Sequence, residues 1–288
     1  MNMKSVKKEY KKYLSSEQGA RSYNNFKSIF YGEEDTLVSE LNRLISINSN
    51  KKVLNVLDIG GGDGKRIRKI LKFLNSKTGV DFNLDFVDQS SSFIKEFQRT
   101  KNDIEQFTRI NILHSDFEDT KLKKEYDIIL VIHSIFAFDN INSIQKIFNK
   151  VKRDGKIYIV SNDSNSFLSF LKEKVDELFP DTRFEINLIK NYFSSINLTY
   201  KKYVFYTKWR AKYSQIKTQL EEVLNWISLG DYLKMNNSTK SYLHQFVMEF
   251  DSTTSQEFLI NEKEICLIID GSDVKDIIKE KSFKTAIL

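Results

Sequence analysis

Residues 56–64 constrain the fold of this chain more than any other stretch. An apolar run that ends in Asp58 is followed by glycines at positions 60, 62 and 64, and then by the basic segment 65–72. Glycine is needed where the backbone adopts a positive φ or closely approaches a ligand. The pattern therefore predicts a strand, a glycine-rich turn that cradles a small molecule, and a helix that starts at the turn and exposes its basic residues to solvent.

The glycine spacing excludes two common phosphate-binding loops. A dinucleotide loop, G-x-G-x-x-G, needs a glycine where this chain has Lys65, and a phosphate loop needs Ser or Thr where it has Arg66. The remaining pattern, D-x-G-x-G-x-G, resembles the nucleotide loop of class I S-adenosylmethionine-dependent methyltransferases. A tight turn without a ligand is the alternative, but three alternating glycines are entropically costly unless something requires them.

Composition limits the class of protein. The 288 residues are 40% hydrophobic and 13% aromatic, which is typical of one large globular domain or a domain with an insertion. Acidic residues are interspersed with the basic ones, so the net charge of +6 is weak evidence for a nucleic-acid partner. Residues 1–13 lack a signal core, and no stretch reaches the roughly 18–20 apolar residues of a membrane span. We expect a cytoplasmic monomer or homodimer without a membrane partner.

Strands and helices alternate along the chain, which predicts an α/β, Rossmann-like fold with helices on both faces of the sheet. The order resembles the class I methyltransferase fold, which implies a seven-stranded, mostly parallel sheet with a terminal antiparallel pair. We expect residues 1–50 to form an N-terminal helical cap on a core of residues 51–288, with about 209–262 as a helical, substrate-binding insertion. The expected strands are 53–59, 83–87, 109–114, 126–132, 156–161, 199–207 and 264–270; the expected helices are 65–74, 91–102, 141–151, 215–229 and 238–250, with a turn at 153–155.

The resemblance implies S-adenosylmethionine as cofactor, with contacts at the ends of the strands. Asp58 can orient the glycine loop, and Asp88, which lies 24 residues after Gly64, stands where an acid would bind the ribose. Residues 115–117 offer an acid and a ring for the adenine, and His133 should face the reacting methyl. The expected cofactor contacts are Asp58, Gly60, Gly61, Gly62, Gly64, Asp88, Gln89, Ser115, Asp116, Phe117, Ile132 and His133.

Missing residues exclude several methyl-transfer chemistries. Pro180 is the single proline, so the chain lacks the Asn/Asp-Pro-Pro-aromatic motif of adenine-N6 and glutamine methylation. The single cysteine, Cys266, lies in an apolar run, which predicts a buried structural thiol rather than a disulfide or a nucleophile for cytosine-C5 methylation. Asn162-Asp163 matches part of a magnesium-dependent catechol site, but Ile132 replaces its other acid. We therefore expect no metal.

Beyond the general class, the chain resembles the histamine N-methyltransferase family over nearly its full length. The resemblance rests on Ser15-Ser16-Glu17-Gln18, the triple glycine of residues 59–62, segment 132–138, the Ser-rich turn, helix and Phe-Pro ending of 161–180, and an insertion carrying Trp226. It implies acceptor contacts from Glu17, His133, Phe136 and Glu262. His133 replaces a Gln of the family, Ala137 a Tyr and Glu262 an Asn. These departures argue against histamine itself and leave a small amine or imidazole-like acceptor.

The leading hypothesis is N-methylation of a small molecule by direct displacement. Glu17 and His133 are the candidate catalytic residues, which would act mainly by orienting the acceptor. Two alternatives stay open: methylation of RNA or protein, which needs a contiguous basic surface around the crevice, and a non-catalytic partner subunit that binds S-adenosylmethionine.

Overall fold

The structure is a computed structural model that describes residues 11–13, 15–29, 33–47, 50–178, 186–228, 231–249 and 257–286. Within these ranges no helix combines the length and the apolar character needed to cross a bilayer. The strands are β1 (Val53–Ile59), β2 (Asp81–Asp88), β3 (Thr108–His114), β4 (Tyr126–Ile132), β5 (Val151–Asn162), β6 (Lys201–Lys212) and β7 (Glu257–Asp270). The helices are α1 (Glu17–Ile29), α2 (Glu33–Leu44), α3 (Lys65–Thr78), α4 (Ser91–Thr100), α5 (Ile141–Lys150), α6 (Phe167–Leu178), α7 (Ile186–Ser195), α8 (Tyr213–Ile227), α9 (Asn237–Glu249) and α10 (Gly271–Ala286).

One seven-stranded sheet in the order β3-β2-β1-β4-β5-β7-β6 organises the molecule. Strands β1 to β5 pair in parallel, and β7 runs antiparallel between β5 and β6. Every residue of β4 is buried, as expected of a central strand covered on both faces. One apolar cluster packs α2, α3 and α4 against one face, and a second packs α5, α7 and α10 against the other. The predicted fold class is confirmed.

The predicted turn at residues 153–155 is wrong, because these residues lie inside β5. The pairing of β4 with β5 shifts from Tyr126–Val151 to Ile128–Lys156, so the extra residues form an irregularity within the strand. A Cβ at Gly155 would lie only 2.7 Å from the carbonyl oxygen of Tyr126. Glycine therefore permits the close backbone approach that this irregularity requires.

The antiparallel pair is longer than the sequence predicts. Pairing between β6 and β7 runs from Lys201–Ile268 to Lys212–Glu257, so residues 209–212 and 257–262 are strand rather than helical insertion. Along β6 every second residue from Phe205 to Ala211 is buried, which is the period expected when one face of a strand is covered. The insertion begins at α8. The predicted ends of its two helices, residues 229 and 250, lie outside the described residues.

A third apolar cluster lies beyond the carboxyl ends of the parallel strands. It joins α1, α6, α8 and α9 to the extended part of the antiparallel pair through Trp209, Phe258 and Ile260. Helix α2 instead buries Leu37 and Leu41 in the cluster beneath the sheet. The predicted N-terminal cap is thus divided: α2 supports the core, while α1 joins the insertion in a helical layer above the strand ends.

Candidate active site

The loop between β1 and α3 contains two kinds of glycine. Some pack closely against neighbouring side chains, and one faces open space. Gly60, Gly62 and Gly64 all have positive φ, at 68°, 60° and 72°. A Cβ at Gly60 would lie 2.5 Å from the Cβ of Ser134, and one at Gly64 would lie 2.1 Å from the ring of Phe97. At Gly62 nothing lies within 4 Å of that position. Gly60 and Gly64 therefore allow close packing, whereas Gly62 forms an open backbone cradle.

Two buried carboxylates lie beside this cradle. Asp88 accepts hydrogen bonds from the backbone N–H groups of Gly62, at 2.9 Å, and Ser90, at 2.8 Å. Burial raises the pKa of Asp88 to about 6, although these two bonds oppose the shift. Burial, and then the charge of Asp88, raise the pKa of Asp58 to about 7. A ligand that brings hydroxyl or ammonium donors to these oxygens would favour their ionised forms.

A cavity of about 630 Å³ extends from the glycine loop to the underside of α1 and α8. Of the expected cofactor contacts, the structure brings together Asp58, Gly60, Gly61, Gly62, Asp88, Gln89, Ser115, Asp116, Phe117, Ile132 and His133 along its wall. Gly64 is absent from the lining because it packs under Phe97. The carboxyl ends of parallel strands meet at one edge of a sheet, which explains why so many of these residues converge.

The residues expected at the adenine site also contact the start of the described chain. The Lys11 ammonium lies 2.6 Å from a carboxylate oxygen of Asp116 and 2.8 Å from one of Asp139. The ring of Phe117 packs against Phe138 with centroids 5.6 Å apart. This end of the cavity is therefore closed on one side by the segment that precedes α1.

Aromatic rings from four separate elements line the opposite end. The ring centroids of Tyr23 and Trp226 are 4.9 Å apart, and those of Phe26 and Trp209 are 5.0 Å apart. Phe93 meets the edge of Tyr23 at 5.2 Å. Such a set can hold an aromatic ring or a cation against its π-faces.

His133 lies between the two ends of the cavity, immediately after β4. Its φ is 51°, and its N–H donates to the carbonyl oxygen of Val160 at 3.0 Å. The ring atom Nε2 lies 3.0 Å from a carboxylate oxygen of Glu264, a residue that is completely buried. The other oxygen of Glu264 accepts a 2.6 Å hydrogen bond from the hydroxyl of Thr207, which in turn accepts one from the indole of Trp209.

A second buried ion pair stands beside His133. Arg66 Nη2 contacts both carboxylate oxygens of Glu33, at 2.9 and 3.1 Å, and the nearer oxygen is 4.0 Å from His133 Nε2. Ligand-type atoms of Glu33, His133 and Glu264 lie within 4.8 Å of one another. Arg66 already compensates Glu33, and Glu264 already holds two hydrogen-bond partners. The predicted solvated face of α3 is wrong at Arg66, since this side chain points into the cavity wall.

Two of the expected acceptor contacts, Glu17 and Glu262, do not line the cavity. Glu17 is exposed in the first turn of α1. Glu262 is completely buried behind the wall, where it accepts hydrogen bonds from the Asn162 side chain at 2.7 Å and the Leu168 N–H at 3.3 Å. Burial is the main cause that raises the pKa of Glu262 to about 8. Asn162 and Leu168 themselves line the cavity, as does the expected contact Phe136.

Several cavity residues have no signal in the sequence. Glu33, Arg66, Glu264, Tyr23 and Trp209 come from five elements that are distant along the chain. None belongs to a spaced motif, and each could have been an ordinary surface charge or core aromatic. Only the alternating burial of β6 distinguishes Trp209 as an inward-facing residue.

Comparison with known proteins agrees with this geometry. The profile of a family described as methyltransferase domain matches residues 31–199, more than half of the chain. Malonyl-[acyl-carrier protein] O-methyltransferase 1 of Ilyobacter polytropus is 26% identical over 178 residues, which cover 60% of this chain and 59% of that protein. The match therefore spans less than two thirds of this relative.

Two solved structures share the fold. The YcgJ protein of Bacillus subtilis has a TM-score of 0.52 at 14% identity and covers 81% of this chain and 97% of its own. The plantazolicin methyltransferase BpumL, solved with a triazolic desmethylPZN analog and SAH, has a TM-score of 0.51 at 15% identity and covers 93% and 98%. The open cradle at Gly62 and the acceptor oxygens beside it suit the predicted cofactor. The chain belongs to the methyltransferase domain family.

Proposed function

We propose that this protein is an S-adenosylmethionine-dependent methyltransferase, and that it methylates a nitrogen atom of a small molecule enclosed in the cavity. The observation that best supports this proposal is the position of His133. This residue lies between the glycine loop and the aromatic end of the cavity, which α1 and α8 close. A volume of about 630 Å³ falls within the range of small-molecule sites, about 300–1,000 Å³. When bound, S-adenosylmethionine supplies an electrophilic methyl group on sulfur.

The residues of this chain would mainly bind, orient and exclude water. Asp58 and Asp88 offer carboxylate oxygens to S-adenosylmethionine, the methyl donor. Tyr23 and Trp226 hold the methyl acceptor against their rings. An amine suits this end, because aromatic faces attract cations and Glu33 lies nearby. The resemblance to the histamine N-methyltransferase family supports the same acceptor class. In this arrangement Glu262 acts indirectly, by fixing Asn162 and the start of α6.

The charges of the wall favour a small molecule over a nucleic acid. Among the described residues that line the cavity, nine side chains are acidic and four are basic. Such a rim repels a phosphate backbone, whereas nucleic-acid sites present clustered Lys and Arg. Methylation at oxygen is the second candidate, and it is favoured by the O-methyltransferase activity for which the relative from Ilyobacter polytropus is named.

A labelled-donor experiment tests the proposed function. Purified protein is incubated with S-adenosylmethionine carrying a trideuterated methyl group and with a whole-cell extract of the source cell, which is then separated into metabolites, RNA and protein. We expect a mass increase in a small molecule, with fragmentation placing the label on nitrogen. Label on oxygen would support the second candidate, and label confined to RNA or protein would contradict both. The Gly62→Arg variant is the matched negative control, because its side chain occupies the open cradle.

A further inference from the structure

We propose that His133 is the base that accepts a proton from the methyl acceptor, and that Glu264 is a positioning residue that selects the ring nitrogen. The inference rests on the proposed function and deepens it by naming the acceptor as one that must lose a proton. Its foundation is the contact between His133, which lines the cavity, and the completely buried Glu264.

The backbone fixes the His133 ring at this place. A φ of 51° is uncommon for a residue other than glycine, although histidine is one of the side chains enriched there. The N–H bond to Val160 ties this conformation to the end of the neighbouring strand. Backbone strain of this kind clusters at active sites, where surrounding structure over-determines it. His133 is therefore placed by the core of the sheet and not by a mobile loop.

Hydrogen bonding determines which nitrogen carries the proton. The indole N–H of Trp209 occupies an acceptor site on the Thr207 hydroxyl, so the hydroxyl proton is directed to Glu264. Glu264 is then an acceptor at both oxygens, and Nε2 of His133 must be the donor of their 3.0 Å contact. In a neutral imidazole the other nitrogen, Nδ1, is left with a free lone pair. By elimination, Nδ1 is the ring nitrogen that can accept a proton.

Charged side chains from three elements face His133. They are Glu264 from β7, Glu33 from α2 and Arg66 from α3, which pairs with Glu33. Of these, Glu264 is the one in hydrogen-bond contact with the ring, at 3.0 Å.

The proton transfer restricts the class of acceptor. The bond between the acceptor atom and its hydrogen breaks, and the hydrogen moves as a proton to Nδ1 of His133. The electron pair left on the acceptor forms the bond to the methyl carbon, and the displaced pair remains on sulfur. A protonated amine or a phenol needs this step, and so does methylation at the N–H nitrogen of an imidazole. An ionised carboxylate does not, so the dyad argues against an acid as the acceptor.

Nuclear magnetic resonance tests the dyad without the reaction. The chain has three histidines, and nitrogen–proton correlation spectra of labelled protein report the tautomer of each ring. His133→Asn assigns the signal, because asparagine also tolerates a positive φ. We expect His133 to carry its proton on Nε2, and Glu264→Gln to shift the ring towards a mixture of tautomers. Glu262→Gln is the control, because Glu262 is buried two residues away and contacts Asn162 instead.

Kinetics test the role in proton transfer, with phenethylamine, tryptamine, catechol and malonate as probes. We expect His133→Asn to lower kcat about 100- to 10,000-fold without changing the Kd of S-adenosylmethionine. Glu264→Gln should lower kcat with KM unchanged. His133→Gly keeps the backbone relaxed and opens space, so added imidazole should restore part of the rate.

Each result bears on the proposal. An Nδ1–H tautomer in the wild-type protein, or an unchanged tautomer in Glu264→Gln, would overturn the assignment of the dyad. Full activity of His133→Asn would overturn the base while leaving small-molecule methylation intact. If none of the four probes is methylated and the label enters only RNA or protein, the proposed function fails, and the tautomer measurement still decides the dyad.

Discussion

The two ends of the cavity are built in different ways. The cofactor end is made of backbone from consecutive residues, with Gly62 and Asp88 at the ends of neighbouring strands. The acceptor end is made of side chains from α1, α2, α3, β6 and α8. A short segment can encode a backbone cradle, because φ angles are local properties. A side-chain pocket of this kind exists only after distant elements have packed together.

The two ends of the cavity also differ in whether their buried ionisable side chains have a partner of opposite charge. At the cofactor end, burial raises the pKa of both Asp58 and Asp88. At the acceptor end Arg66 is paired with Glu33, and His133 with Glu264. A buried charge that already has a partner is costly to change. The binding site of the methyl donor should therefore respond to its ligand and to pH, whereas at the acceptor end Arg66 already compensates Glu33.

The largest effect should come from filling the cradle. Gly62→Arg is expected to weaken S-adenosylmethionine binding at least about 1,000-fold, equivalent to about 4 kcal/mol, because its side chain enters the space of the donor. Gly79→Arg is the matched control. Gly79 has a similar φ of 68° and nothing within 4 Å of a Cβ, yet it lies at the far end of α3. Equal donor affinity of the two variants in calorimetry would contradict the backbone cradle.

The next largest effect should follow loss of the Asp88 carboxylate. Asp88→Ala leaves the N–H groups of Gly62 and Ser90 without their acceptor and removes an oxygen for the donor. We expect about 100-fold weaker donor binding, in line with the loss of two hydrogen bonds to a charged group. Asp81→Ala, at the exposed start of the same strand, should leave the affinity unchanged. Binding is measured by equilibrium dialysis with labelled donor.

Much of the cofactor end could be predicted from the sequence, because its features depend on residues that are close together along the chain. The strand ends, the glycine spacing and Asp88 are local features, and β4 was predicted with its observed bounds. Arg66 could not be predicted as a buried residue, because its partner Glu33 lies on a helix that precedes β1. Glu264 was unrecognised for a similar reason: it reaches His133 only because β7 inserts between β5 and β6.

Of the four acceptor contacts predicted from the family resemblance, two line the cavity and two do not. His133 and Phe136 follow a core strand directly, so the strand end carries them to the cavity. Glu17 depends on how α1 packs, and Glu262 depends on the register of a long antiparallel pair. A shift of one residue in such a pair moves a side chain to the opposite face. Short sequence motifs determine neither the packing of α1 nor the register of the antiparallel pair.

A variant at the aromatic end should separate the two sites. Trp226→Leu is expected to raise the KM of the acceptor about 10- to 30-fold, in line with the loss of about 1.5–2 kcal/mol of aromatic and cation–π contact. The Kd of S-adenosylmethionine should stay within twofold, because Trp226 contacts Tyr23 rather than the glycine loop. Tyr242→Leu, at an exposed aromatic residue on α9, is the control. A parallel loss of donor affinity in Trp226→Leu would remove the distinction between the two ends.

The smallest effect we expect is a pH dependence of S-adenosylmethionine binding, measured apart from the reaction. With pKa values of about 7 for Asp58 and about 6 for Asp88, both groups are ionised at pH 8 and largely protonated at pH 5.5. Protonation removes hydrogen-bond acceptor capacity from these two carboxyl groups. The affinity for S-adenosylmethionine should therefore fall about 5- to 10-fold between these pH values. Asp58→Asn should bind more weakly at pH 8 and show a flatter profile. A profile as steep as that of the wild type would assign the effect to another group.

Glu262 provides the contrasting case, because its raised pKa belongs to a carboxyl behind the wall. Its pKa rises from an ordinary 4.5 to about 8, so the folded state holds this proton more tightly than the unfolded state does. Stability from this group is therefore fully present below pH 4.5 and is lost as pH rises through 8. Glu262→Gln should flatten that decline in chemical denaturation measurements, by about 1–3 kcal/mol. The same variant should leave the pH profile of donor binding unchanged, because the carboxyl does not line the cavity.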